Sequence, residues 1–273
     1  MVLIKTNRFL LLKWLNVVAF VAVVLVNGLA GSTKLIGGKN TAQISDANPT
    51  LITPAGYVFS IWGVIYVLLG IFTVFQALPG GKGNEFGGKV GWLFVWSSIL
   101  NIVWLFLWQF EYLSLSVVVM FLLLATLILV YLRLGIGKSK IRLIEKVAFH
   151  LPFSVYLGWI TIATIANVSA TLVSVNWDAF GISPETWAIL IIAIALFIAL
   201  FVIATRKDLA YTLVILWALL GIAVKQIENQ KIVAATGISA ALIVIALVLV
   251  IILRLKTGPC LLSQFRSKKI RSI

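Results

Sequence analysis

LSLSVVVMFLLLATLILVYL, residues 113–132, is twenty residues long and carries no charge. At about 1.5 Å of rise per residue, a helix of that length crosses a hydrocarbon core of about 30 Å. Lipid offers the backbone no hydrogen-bond partner, so only helices and closed barrels span it. The run lacks the strict alternation of a barrel strand and therefore reads as a transmembrane helix.

Seven runs of similar character flank it. The eight spans are Leu15–Ala30, Tyr57–Leu78, Gly91–Phe110, Leu113–Leu132, Val147–Val173, Trp187–Ala204, Leu209–Val224 and Val233–Leu253, the seventh being the shortest. Hydrophobic residues make up 62% of the 273 and charged residues 11%, and mean hydropathy is +1.13. A soluble domain is nearer half apolar and a quarter charged, so the expectation is an all-α polytopic membrane protein. Lys5, Arg8 and Lys13 precede the first run as they would a signal peptide. Ala30-Gly31-Ser32 is a weak cleavage site and more spans follow, so this run reads as a retained anchor.

The net charge of +14 belongs to topology rather than to nucleic acid, because the basic residues flank apolar runs and form no region large enough to fold alone. With the N-terminus inside, eighteen of the 22 Lys and Arg fall on the inner side, leaving Lys34, Lys39, Lys225 and Lys231 outside. That bias predicts an even number of spans and both termini in the cytoplasm, in the cell membrane. The chain then divides into a five-span bundle over residues 1–175, three additional spans over 176–255 and a basic cytoplasmic tail over 256–273. The long loop Gly31–Gly56 carries turn signals at Asn48-Pro49 and Thr53-Pro54, and reads as a connector or as a lid on the outer face. Gly80-Gly81-Lys82-Gly83 reads as a flexible turn, since a phosphate loop would need a preceding strand and a Lys-Ser/Thr ending.

Cys260 is the single cysteine, which excludes an internal disulfide framework and a cysteine-rich metal site. The eight acidic residues fall between the apolar runs or at their edges. The mid-membrane carboxylate of proton- and cation-driven carriers is therefore missing, and so is a carboxylate pair for hydrolysis. His150, at the start of the fifth span, reads as an interfacial histidine rather than an axial haem ligand. No catalytic or metal-ligating residue is assigned and no cofactor is required.

What stands out within the spans is tryptophan accompanied by amides. Trp14, Trp92, Trp177 and Trp187 lie near span ends, where an aromatic belt accounts for them. Trp62, Trp96, Trp104, Trp108 and Trp159 lie deeper, with Asn101 and Asn167 as polar company. Helical spacing puts Phe59, Trp62 and Tyr66 on one face, Asn101, Trp104 and Trp108 on another, and Tyr156, Trp159, Ala163 and Asn167 on a third. Converging, these faces line an aromatic cleft for a flat, largely apolar ligand. The alternative is helix-to-helix glue, in which the asparagines bond across the bundle and hold no ligand.

Three motifs carry a resemblance: Thr53-Pro54-Ala55-Gly56-Tyr57-Val58-Phe59-Ser60-Ile61-Trp62 continuing to Tyr66, then Leu100-Asn101-Ile102-Val103-Trp104, then Tyr156, Leu157, Trp159, Ile160, Ile162, Ala163 and Asn167 in order. In this order and these spans they resemble the tryptophan-rich sensory protein (TspO/MBR, translocator protein) family, over roughly residues 10–175. Tyr57 stands where that family often has Trp, Ser97 where a Gln commonly sits, and Val155 where a Pro is usual. The resemblance implies a five-helix bundle that binds porphyrins, haem-like tetrapyrroles or, in some members, sterols, near the head of the bundle. It implies Phe59, Trp62, Tyr66, Asn101, Trp104, Trp159, Ala163 and Asn167 as pocket residues, with Tyr156 opening the third motif. The sterol-type sequence of animal members does not follow Asn167. Leu129-x-Tyr131-x-Arg133 matches only a loose pattern that is common by chance.

The chain is thus expected to be an enlarged member of that family, a sensor or transporter with the bilayer and a tetrapyrrole-like molecule as partners. Two alternatives stand beside this: a slow porphyrin-degrading enzyme using Trp62 and Trp159 as redox aromatics, and a structural membrane partner without a small ligand. The three C-terminal spans lie outside the motifs and read as an addition for packing or homodimerisation.

Overall fold

Residues 2–32, 35–78, 81–139 and 141–257 are described by the computed structural model of the chain, and none of them forms a strand. Eight apolar helices correspond to the eight runs: α1 (Val2–Ser32), α3 (Ile61–Ala77), α5 (Leu93–Gln109), α6 (Leu113–Leu134), α8 (Leu151–Ser174), α9 (Pro184–Arg206), α10 (Leu209–Lys225) and α11 (Gln230–Thr257). Three short helices, α2 (Thr41–Ala47), α4 (Gly81–Val90) and α7 (Leu143–Glu145), lie in the connections. Among the described residues six segments are long and apolar enough to cross a membrane. The other two, α5 and α10, have 17 residues each, or about 26 Å, at the lower end of the spanning range. The tail beyond Thr257 lies outside the described residues.

Local chemistry sets the helix ends. Gly135, at φ 65°, closes α6 in the left-handed conformation that glycine adopts without strain. α8 is entered through a π-helical turn, Lys146–His150, and Pro152 sits in its first turn, where a missing N–H leaves no bond unmade. Ser183 caps α9 by accepting from Thr186 N, and Lys207 ends it in the left-handed region. Asp208 follows at once and accepts from the N–H groups of Ala210 and Tyr211, so two residues suffice to reverse the chain into α10.

Packing divides the helices into two groups. α1, α3, α8, α6 and α5 touch in that cyclic order and close a five-helix ring, while α9, α10 and α11 contact one another as a three-helix unit. The unit is joined to the ring chiefly through α10 on α8. At Gly158 of α8 an added Cβ would meet the Tyr211 carbonyl oxygen and Val214 Cβ at 3.1 Å, so a small residue admits the close approach. Nearby, Asp208 Oδ2 accepts from Tyr131 Oη at 2.9 Å and Ser154 Oγ at 2.7 Å, tying α6 and α8 to the start of α10. Asp208 does lie between two apolar runs, as expected, yet it is only 7% exposed and is a structural tie rather than a solvated loop charge.

Two connections contain helix, and one tryptophan within a span lies elsewhere than its depth suggested. The Gly31–Gly56 loop contains α2, which opens with a capping box between Asn40 and Gln43. Of the glycine run expected to be a flexible turn, Gly80 lies outside the described residues and Gly81, Lys82 and Gly83 begin α4; a Cβ at Gly83 would meet the Phe75 carbonyl oxygen at 2.7 Å, so this glycine serves close packing. Trp96, grouped by depth with the inner tryptophans, is 56% exposed on the outside of the bundle.

Candidate functional site

The aromatic faces of α3, α5 and α8 meet inside the ring near the end that carries α2. Trp62 is the hub. Its ring stacks on Tyr66 with centroids 5.7 Å apart and on Trp104 at 6.2 Å, and meets Tyr156 at 6.2 Å and Trp159 at 6.1 Å edge-on. Trp104 continues the stack to Trp108 at 6.0 Å, and Phe59 meets Trp159 edge-on at 5.9 Å. Such offset and edge-to-face contacts follow the ring quadrupole, and each adds about 0.5–1.5 kcal/mol beyond area burial.

A cavity of about 30 Å³ lies against these rings. Phe59, Trp62, Trp104, Trp159, Ala163 and Asn167, all expected from the sequence, line it. Tyr66, Asn101 and Tyr156, also expected, do not line it. Tyr66 and Tyr156 pack behind Trp62, and the Tyr156 hydroxyl lies beside the Asn101 side chain. Thr41, Ser45, Pro54, Trp108, Ile162 and Ala166 complete the lining. Trp108 had a sequence signal, being one turn beyond Trp104; Thr41 and Ser45 had none, since a polar loop gives no sign of where it folds back.

The covering segment is therefore part of the site. Trp108 Nε1 donates to the Thr41 carbonyl oxygen at 3.2 Å, which fastens α2 over the end of α5. Pro54 leads into a 3-10 turn, Gly56–Ser60, that runs on into α3 and carries Phe59 to the cavity.

The polar groups separate into two kinds. Asn167 Oδ1 accepts from Trp104 Nε1 at 2.9 Å, and Asn167 Nδ2 donates to Ser116 Oγ at 2.9 Å, joining α8 to α5 and α6. Asn101 Oδ1 accepts from Asn27 Nδ2 at 2.7 Å, joining α5 to α1. These amides bond across the ring as membrane-helix glue does. Trp159, 2% exposed, lines the cavity and its indole N–H has no partner; Tyr66 Oη and Asn101 Nδ2 also lack one, but on residues that do not line the cavity. An unmade bond of this kind costs about 1–3 kcal/mol, so a donor left open on a residue that lines the cavity is a handle for a ligand acceptor. His150 stands at the other end of α8, against Phe86, and does not line the cavity. Among the described residues no three or more His, Cys, Asp or Glu come together as a metal site.

The family model for TSPO-like proteins matches residues 13–253. The match runs on through α9, α10 and α11, beyond the three motifs. No curated protein and no solved structure matches the chain.

Proposed function

The chain belongs to the TSPO-like protein family and is an integral membrane protein of that kind; on that premise we propose that it takes a planar, largely apolar ligand of tetrapyrrole type between the aromatic faces of α3, α5 and α8, as a sensor or transporter. The observation that carries the reading is the unpartnered indole N–H of Trp159 in a wall of stacked rings. Rings supply stacking and apolar area, and one polar group fixes orientation, which is how pockets for such ligands are built. A drug-sized ligand occupies a pocket of about 300–1,000 Å³. The 30 Å³ present admits roughly one water, so binding requires the covering segment to move away and the rings to part.

A second reading, a structural membrane partner without small ligand, is favoured by the way Asn101 and Asn167 are engaged in helix-to-helix bonds. Titration of the purified protein with protoporphyrin IX decides between them. Saturable quenching of tryptophan fluorescence that weakens in Trp159→Phe, at little change in melting temperature, supports the pocket. Absence of saturable quenching in the parent protein leaves the structural reading. Bleaching of the porphyrin absorption during the titration would instead mark degradation.

A further inference from the structure

α10 reaches out of the three-helix unit to the segment that covers the cavity. The Gly221 carbonyl oxygen accepts from Ala55 N at 3.0 Å, and Trp217 Nε1 donates to the Val58 carbonyl oxygen at 3.2 Å. The Trp217 ring also meets Tyr57 edge-on at 5.3 Å. Further along, Lys225 Nζ pairs with Asp46 Oδ1 at 2.8 Å. A Cβ at Gly221 would stand 2.1 Å from Val58 Cγ2. Val58 is fully buried and its β-branched side chain is stiff, so relief would require the 3-10 turn itself to move. Glycine is what lets helix and turn approach at this point.

We propose that α10 is the latch of the aromatic cavity: through Gly221, Trp217 and Lys225 it holds residues 46–58 closed over the rings, and ligand exchange requires these contacts to open. The inference rests on the cavity being the ligand site. It assigns to the C-terminal unit control of access, with Gly221 as the positioning residue. The covering segment and α10 are joined at both ends of the contact, from Ala55 and Val58 near the cavity to Asp46 at the end of α2. Opening it is thus a concerted movement, of the kind that sets exchange rates in lidded sites.

The test reads the cover with and without ligand. Ser45 lines the cavity and is 7% exposed, so in a Cys260→Ser background Ser45→Cys reports opening by its rate of reaction with a water-soluble maleimide. Gly221→Ala should speed labelling about tenfold, the scale of an overpacked contact. Lys225→Glu should speed it about threefold, as an exposed ion pair is weak, and adding Asp46→Lys should restore the parent rate. That rescue separates the latch from simple misfolding. Association and dissociation of protoporphyrin IX should both accelerate in the opened variants. Unchanged labelling in Gly221→Ala and Lys225→Glu overturns the latch even where protoporphyrin binds. Faster labelling in a protein that never binds protoporphyrin supports the latch and removes the proposed ligand instead.

Discussion

Trp104 and Asn167 are bound to each other across the cavity wall, indole Nε1 to amide Oδ1 at 2.9 Å, and the same amide holds Ser116. One asparagine thereby fixes the facing of α5, α6 and α8. Asn167→Leu leaves the indole N–H and the Ser116 hydroxyl without that partner. The expected loss is about 1 kcal/mol, since polar contacts between membrane helices average below their counterparts in water. Thermal unfolding in detergent measures it, and an unaltered melting temperature would deny Asn167 this role.

Trp159→Phe is a finer probe than truncation. It retains a ring against Trp62 and Phe59 and deletes the unpartnered N–H. Stability should hold or rise slightly, because a buried donor without a bond is removed. Protoporphyrin affinity should fall about fivefold, the worth of one hydrogen bond of about 1 kcal/mol. Equal affinity in parent and variant would show that the ligand does not use this nitrogen.

Ala163 lines the cavity beside Trp159 and is partly buried. Ala163→Leu fills a space of about 30 Å³, and the added methyl groups can lean toward the open volume. Binding should weaken by about tenfold or more, with a cost to folding of about 1 kcal/mol, at the lower end of the usual range for overpacking. Affinity and melting temperature measured on one preparation check this, and undiminished affinity would take Ala163 out of the site.

Asp208 bonds to Tyr131, Ser154 and two backbone N–H groups at the head of α10. Asp208→Ala removes a helix cap and strands two buried hydroxyls, for an expected loss of about 2–3 kcal/mol. The three-helix unit should then be cleaved by added protease faster than the five-helix ring. Equal resistance of both parts would argue against Asp208 as the tie between them.

The division of basic residues predicts both termini in the cytoplasm, which would put the covered end of the cavity on the opposite face. Reporter fusions after Lys140 and after Ser272 should both give a cytoplasmic signal. An external signal at either position would reverse or break this topology.

Hydropathy alone determined that the chain is a bundle of apolar helices, and helical spacing placed Trp62, Trp104 and Trp159 on faces able to meet. Both readings succeed because they are local: transfer to lipid is a sum over about twenty neighbouring residues, and a helix face repeats every three or four. The motifs added the order of the faces and, through the resemblance, implied Asn101 and Asn167 as pocket residues, while spacing left open which side chains the two amides would meet. Only the tertiary structure decided that. It paired Asn101 with Asn27, 74 residues away, left Trp159 Nε1 unpaired, and moved Tyr66 and Tyr156 behind the lining. It also brought Trp217 to Val58 across 159 residues and Lys225 to Asp46 across 179. Contacts at such separations leave no periodicity in the sequence. Which polar group finds a partner depends on how helices from opposite ends of the chain are packed, and the hydropathy of each is nearly indifferent to that choice.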